Sequence, residues 1–97
     1  MPKTSVSASA ADTWSDPIKI VGSFNLSISG TFVGTVTVQR SENGTTWYDV
    51  DTWTAVTEEF GYDPILNYYR VGVDTGNITS GTAVAYINGY DIWPNRI

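Results

Sequence analysis

Ser23-Phe24-Asn25-Leu26-Ser27-Ile28-Ser29 alternates polar and apolar residues without a break, with Phe24, Leu26 and Ile28 on one side and Ser and Asn on the other. Successive side chains of an extended chain point to opposite faces, so this is a strand with one buried and one wet face. Thr35–Arg40 repeats the pattern, with Val36 and Val38 inward and Thr35, Thr37 and Gln39 outward. Gly30 to Gly34, between the two, predicts a turn. After the second strand, Ser41–Thr45 carries Asn43-Gly44, the dipeptide favoured in tight hairpins. Thr46–Asp51 then returns as the partner strand, with Trp47 and Tyr48 on opposite faces.

Outward from this hairpin, Pro17 opens a strand at Ile18–Val21 and Trp53–Thr57 is a further short strand. Glu58–Leu66 contains Gly61 and Pro64 and reads as a loop; Tyr68–Val73 is a strand, Asp74–Gly81 a turn, and Thr82–Ile87 the last strand. No stretch shows sustained helical periodicity, and no internal repeat is visible. Several short strands at about 8–12 residue spacing predict an all-β fold. The expected form is a small antiparallel β-sandwich, Ig-like or jelly-roll-like, or a small barrel, of six to seven strands. Its expected core is Phe24, Leu26, Ile28, Val36, Val38, Trp47, Val50, Tyr69, Val71, Val84 and Tyr86. Residues 14–87 form this domain. Residues 1–13 are small and polar and read as a flexible N-terminal arm or a weak edge strand. Residues 88–97 are an aromatic-rich C-terminal tail, a candidate docking element.

Composition narrows the function. A chain of 97 residues buries roughly 60% of its unfolded surface, which leaves a thin stability margin. With no cysteine, disulfides cannot widen that margin, and association between subunits is the remaining staple. Histidine is also absent, which removes the usual general base near neutral pH and the commonest metal ligand. Five basic against ten acidic residues give a net charge of −5. The basic residues Lys3, Lys19, Arg40, Arg70 and Arg96 are scattered, so neither nucleic acid nor an anionic membrane is an expected partner. No apolar run reaches the length of a membrane helix. Met1-Pro2-Lys3-Thr4-Ser5 does not open a secretory signal, and synthesis in a cytoplasm is expected.

Motifs that could carry chemistry read more simply as structure. Ser41-Glu42-Asn43-Gly44-Thr45-Thr46-Trp47 resembles the Asp-box of sialidase-type propellers, but is one residue short, has Asn for Asp, and occurs once. Asp49, Asp51, Glu58 and Glu59 could gather around calcium, yet the spacing of a calcium loop is missing and a solvated acidic face is the simpler reading. A nucleophilic serine lacks a base other than Lys3 or Lys19. The sequons at Asn25, Asn43 and Asn77 are common by chance in such a chain. No catalytic residue, no metal site and no cofactor are therefore expected. The aromatics stand out: four Trp and six Tyr exceed what one small core holds. Trp14, Trp53, Tyr62, Tyr90 and Trp93, at segment edges or in the tail, are the expected interface residues.

The run from Gly22 through Gln39-Arg40-Ser41 to Gly44-Thr-Thr-Trp47 resembles a family of small bacteriophage and prophage proteins that are mostly virion-associated. Their pattern continues with a Tyr-Thr-Ala-like segment before a Glu, a Tyr-Tyr-Arg strand and Thr-Ser-Gly-Thr. It is matched here by Trp53-Thr54-Ala55, Glu58-Glu59, Tyr68-Tyr69-Arg70 and Thr79-Ser80-Gly81-Thr82. The resemblance implies a non-catalytic structural role in the virion. The expectation is a capsid decoration or cement protein on the outer surface of the head, bound to the major capsid protein. Self-association as a homo-oligomer is expected too, a trimer suiting local three-fold positions. A fibre or tail-associated module that binds host glycans through exposed aromatics is the alternative.

Overall fold

The computed structural model describes residues 3–89. Seven strands follow in order: β1 (Lys3–Ala8), β2 (Thr13–Trp14), β3 (Ile18–Gly34), β4 (Val36–Ser41), β5 (Tyr48–Trp53), β6 (Thr57–Val73) and β7 (Ile78–Gly89). They form one open antiparallel sheet in the order β1-β7-β3-β6-β4-β5, with β2 added to β6. The fold is all-β, as the alternation demands, and of the small sandwich or open-barrel kind.

The two 17-residue strands β3 and β6 run through both halves of the sheet. Their pairing slips once. Ile20 faces Asn67 and Gly22 faces Asp63, so Pro64, Ile65 and Leu66 bulge out opposite Val21 alone. Such an insertion bends a strand and increases its twist. Leu26, Ile28, Ala85 and Ile87 from one side of the bend and Ile20, Val36, Val38, Tyr69 and Val71 from the other make one buried cluster. The far edge is tied back by the Thr4 hydroxyl, which donates to the Asp16 carbonyl at 2.7 Å.

Three sequence expectations change. Glu58–Leu66 is not a loop but the first half of β6. Pro64, which has no N–H to donate, falls in the bulge, where no ladder bond is lost. Gly61 sits opposite Phe24 because a Cβ there would run into the Phe24 ring. Gly30–Gly34 is likewise not a turn: β3 continues through Gly30, whose φ of 97° a side chain would disfavour, and pairs with β7 up to Gly34. The turn into β7 is shorter than expected, Asp74–Asn77, closed by the Asn77 amide on the Asp74 carbonyl. For the N-terminal residues the edge-strand reading holds over part of their length. From Lys3 to Ala8 they are the edge strand β1, paired with β7 throughout.

The core differs in phase on the last strand. Ala83, Ala85 and Ile87 are buried, while Val84 is exposed and Tyr86 half-buried. Opposed residues in an antiparallel pair share a face, and Ile87 and Ala85 stand opposite Leu26 and Ile28. The register against β3 therefore fixes the phase, which the local pattern Thr82–Ile87 leaves open. Val50 is exposed because it is the extra residue of a second bulge, where Val38 and Gln39 face Asp51 and Asp49. Trp47 is half-buried and lies on the outer face, not in the core.

Gly81 and Gly76 separate two costs of left-handed backbone. Both have positive φ, 83° and 74°, but a Cβ on Gly81 would collide with the Thr31 carbonyl, whereas Gly76 faces open space. Gly76→Ala is expected to lose about 1–2 kcal/mol. Gly81→Ala is expected to lose more than about 2 kcal/mol, because backbone has to move as well. Urea unfolding of both variants measures the difference.

Candidate functional site

The bend creates the site. Asp63, the last residue before the bulge, is 4% exposed and would be costly to bury unpaired. Four donors converge on it. The Tyr69 hydroxyl donates to Oδ2 at 2.8 Å, Asn67 Nδ2 at 3.0 Å and Arg40 Nε at 3.0 Å, while the Ile65 amide donates to Oδ1 at 3.1 Å. Burial works to raise the Asp63 carboxyl, but the hydrogen bonds from Tyr69, Ile65 and Asn67 and the charge of Arg40 together hold it below the ordinary carboxylate value. Burial and the bond to Asp63 push the Tyr69 hydroxyl upward. Both shifts move away from neutrality, so neither group exchanges protons readily near pH 7. The cluster clamps the kink.

Beside it lies an open cleft of about 580 Å³, walled by Tyr48 and Tyr62 and edged by Arg40, Glu42, Asp49 and Asp63. A smaller pocket of about 140 Å³ continues toward the core between Phe24, Leu26, Val38, Trp53, Asp51 and Phe60. The two mark the open mouth between β5 and the first half of β6. Around this mouth Tyr48, Val50, Phe60, Tyr62, Ile65 and Leu66 are all exposed, Phe60 by 83% and Tyr62 by 69%.

The opposite face of β4 is covered from within. Asp49, Gln39 and Arg70 lie opposite one another on β5, β4 and β6. Arg70 Nε donates to Gln39 Oε1 at 2.8 Å, and Gln39 Nε2 donates to Asp49 Oδ1 at 2.8 Å. The Arg70 guanidinium is stacked between two indoles, 4.5 Å from the Trp14 ring and 4.4 Å from the Trp47 ring. Gly72 leaves room for Trp14, which a Cβ would strike. Burial draws the guanidinium of Arg70 below its ordinary pKa, against the pull of Asp74.

The Ser41–Trp47 turn is structural. Ser41 Oγ accepts the Asn43 and Gly44 amides, and Asn43 Oδ1 accepts the Thr45 and Thr46 amides. These are the self-contained bonds of an Asx-type turn. Among the described residues no three carboxylates come together as a metal set. The bulge at Val50 breaks the alternation between Asp49 and Asp51, and Glu58 accepts the Ser27 hydroxyl at 2.6 Å.

The expected interface residues are distributed unevenly. Tyr62 lines the cleft and is exposed. Trp53 packs half-buried against the core, and Trp14 is half-buried on Arg70. Tyr90 and Trp93 lie outside the described residues. Phe60 and Tyr48 were not singled out by sequence. The signal for Phe60 is the alternation Glu58-x-Phe60-x-Tyr62, hidden by reading Gly61 and Pro64 as loop residues. Comparison of the chain with protein-family models, characterised proteins and solved structures yields no match.

Two outcomes test this geometry. A carboxylate held below its ordinary pKa stabilises the fold above that pKa, and the contribution is lost as pH falls through the folded value. Asp63 therefore contributes fully at neutral pH and fades below about pH 4. Asp63→Asn is expected to cost about 2–3 kcal/mol at pH 7 and to flatten the acid limb of stability against pH, read by thermal melts across the pH range. Arg70→Lys keeps the charge but loses the planar stack, and is expected to cost about 1–2 kcal/mol. Its Trp fluorescence should change with it.

Proposed function

We propose that this chain is a non-catalytic structural protein of a bacteriophage particle. In its most concrete form it is a capsid decoration or cement protein, made in the host cytoplasm and carried on the outer surface of the head. The family resemblance of residues 12–87 supports the phage context. The observation that carries the docking role is the apolar rim of the mouth: Tyr48 and Val50 on β5 and Phe60, Tyr62, Ile65 and Leu66 on β6 are exposed. Monomeric soluble proteins seldom leave such a patch in water, and rims of this kind mark surfaces that are covered in an assembly. Its proposed partners are the major capsid protein and further copies of itself. The acidic balance argues against nucleic acid and membranes.

A second reading has its own support. Two exposed tyrosines beside carboxylates and an arginine in an open cleft are the groups that stack on and hydrogen-bond a sugar. A fibre- or tail-associated adhesion module would use them to bind host glycans.

Quantitative mass spectrometry of separated heads and tails discriminates. Hundreds of copies with the heads are expected; a few copies with the tails would favour adhesion, and absence from both would sink the virion reading. Full burial of a Phe side chain contributes about 1.5–3 kcal/mol. Phe60→Ala is thus expected to weaken head attachment by about tenfold or more while leaving the thermal melt of the free chain nearly unchanged.

A further inference from the structure

Among the described residues, the strand segments with an unpaired side are not equivalent. β1 is drawn against the β2–β3 connection by the Thr4 to Asp16 bond. β5 carries the bulge at Val50 with Asp49 and Asp51 on either side of it, the two devices that most often discourage edge pairing. The first half of β6 carries Glu58, Glu59 and Asp63 and ends in the Pro64–Leu66 bulge, but no bulge interrupts Thr57–Asp63. From Thr57 to Asp63 it pairs with β3 in unbroken register on one side, and β4 joins its other side only from Tyr68 onward. A free edge of this length is a template for another strand. Mid-way along it stands Phe60, 83% exposed.

We propose that a second copy of this chain pairs antiparallel with this edge, so that Phe60 faces Phe60 of the other copy across a two-fold axis. The register follows from charge and shape. Opposed residues share a face, so a symmetric antiparallel pair sets some residue opposite itself. Centring on Glu58 or Glu59 would press two carboxylates together. Centring on Gly61 would set Glu59 against Asp63 and Glu58 against Pro64. Centring on Tyr62 would bring Pro64, which has no N–H, opposite Phe60. Centring on Phe60 sets Glu59 opposite Gly61 and Glu58 opposite Tyr62. Each carboxylate then meets a residue without negative charge. The Phe60 rings form a cross-strand aromatic pair, a stabilising contact in sheets.

This inference rests on the self-association in the preceding reading and assigns it a surface. Two-fold pairing closes at two copies, so this edge yields a dimer and not a trimer. With a net charge of −5 per copy, repulsion opposes the pairing, and added salt should tighten it.

Sedimentation velocity of the full chain over a concentration series tests the pairing without any particle, so its failure is distinct from failure of the virion reading. The expected result is a concentration-dependent dimer that strengthens with salt. Phe60→Glu should be monomeric, with an unchanged thermal melt. Since the chain has no cysteine, Phe60→Cys offers one thiol per copy and should cross-link under mild oxidation. Val33→Cys, exposed on β3 beyond the β6 pairing, should not. A wild-type chain that stays monomeric at every concentration overturns the proposal, whatever the cross-linking shows. So does a dimer untouched by Phe60→Glu, or equal cross-linking at positions 60 and 33.

Discussion

Opposite the single residue Val21, β6 has to place Pro64, Ile65 and Leu66, and the buried carboxylate of Asp63 is what makes that slip tolerable. Without it, Arg40, Asn67 and the Tyr69 hydroxyl would lose their shared acceptor, and two of the four donors, Asn67 and the Ile65 amide, belong to the bulge itself or border it. The bend it holds lets one continuous sheet supply both sides of a core. It also ends the pairing of β4 with β6 at Tyr68, because beyond the kink β6 leaves the line that β4 follows. The open mouth, the cleft and the free edge of β6 are all consequences of that departure.

The aromatic residues divide according to the same geometry. On the outer face of β4, Trp14 and Trp47 close over Arg70 and help keep Thr37 and Gln39 from water. There the aromatics pack against the chain itself and are half-buried. Around the mouth Tyr48, Phe60 and Tyr62 stand exposed among the described residues. An excess of aromatics in the composition thus has two meanings in one molecule, and only the strand pairings separate them.

Much of the fold was legible. The alternation at Ser23–Ser29 and Thr35–Arg40 located the two strands at the centre of the core, and Asn43-Gly44 located the hairpin. What misled was glycine and proline. At Gly30, Gly61 and Pro64 they serve bulges and close approaches inside strands, and local sequence cannot distinguish that use from a turn. The phase of β7 was hidden for a different reason: Val84 and Tyr86 look more apolar than Ala83 and Ala85, and only pairing to Leu26 and Ile28 reverses the choice. The Asp63 cluster was not legible at all, since its members acquire meaning only when the bulge folds Asn67 and Tyr69 back toward residue 63.

The small core explains why so much apolar surface stays outside. The core-cluster residues on β7 are two alanines and one isoleucine, and those on β4 are valines, so the space between the two halves of the sheet takes short side chains. Large rings fit only at its margins: Phe24 and Tyr69 meet there with ring centres 4.9 Å apart, and Trp53 packs alongside. A ring as large as that of Phe60 has no interior position left to occupy on a strand whose inward residues are Glu59, Gly61 and Asp63. Turning the inner face polar at the mouth and the outer face aromatic inverts the usual arrangement of a half-buried strand. In that inversion the Asp63 clamp holds the inner side, and the outer side keeps its rings in water.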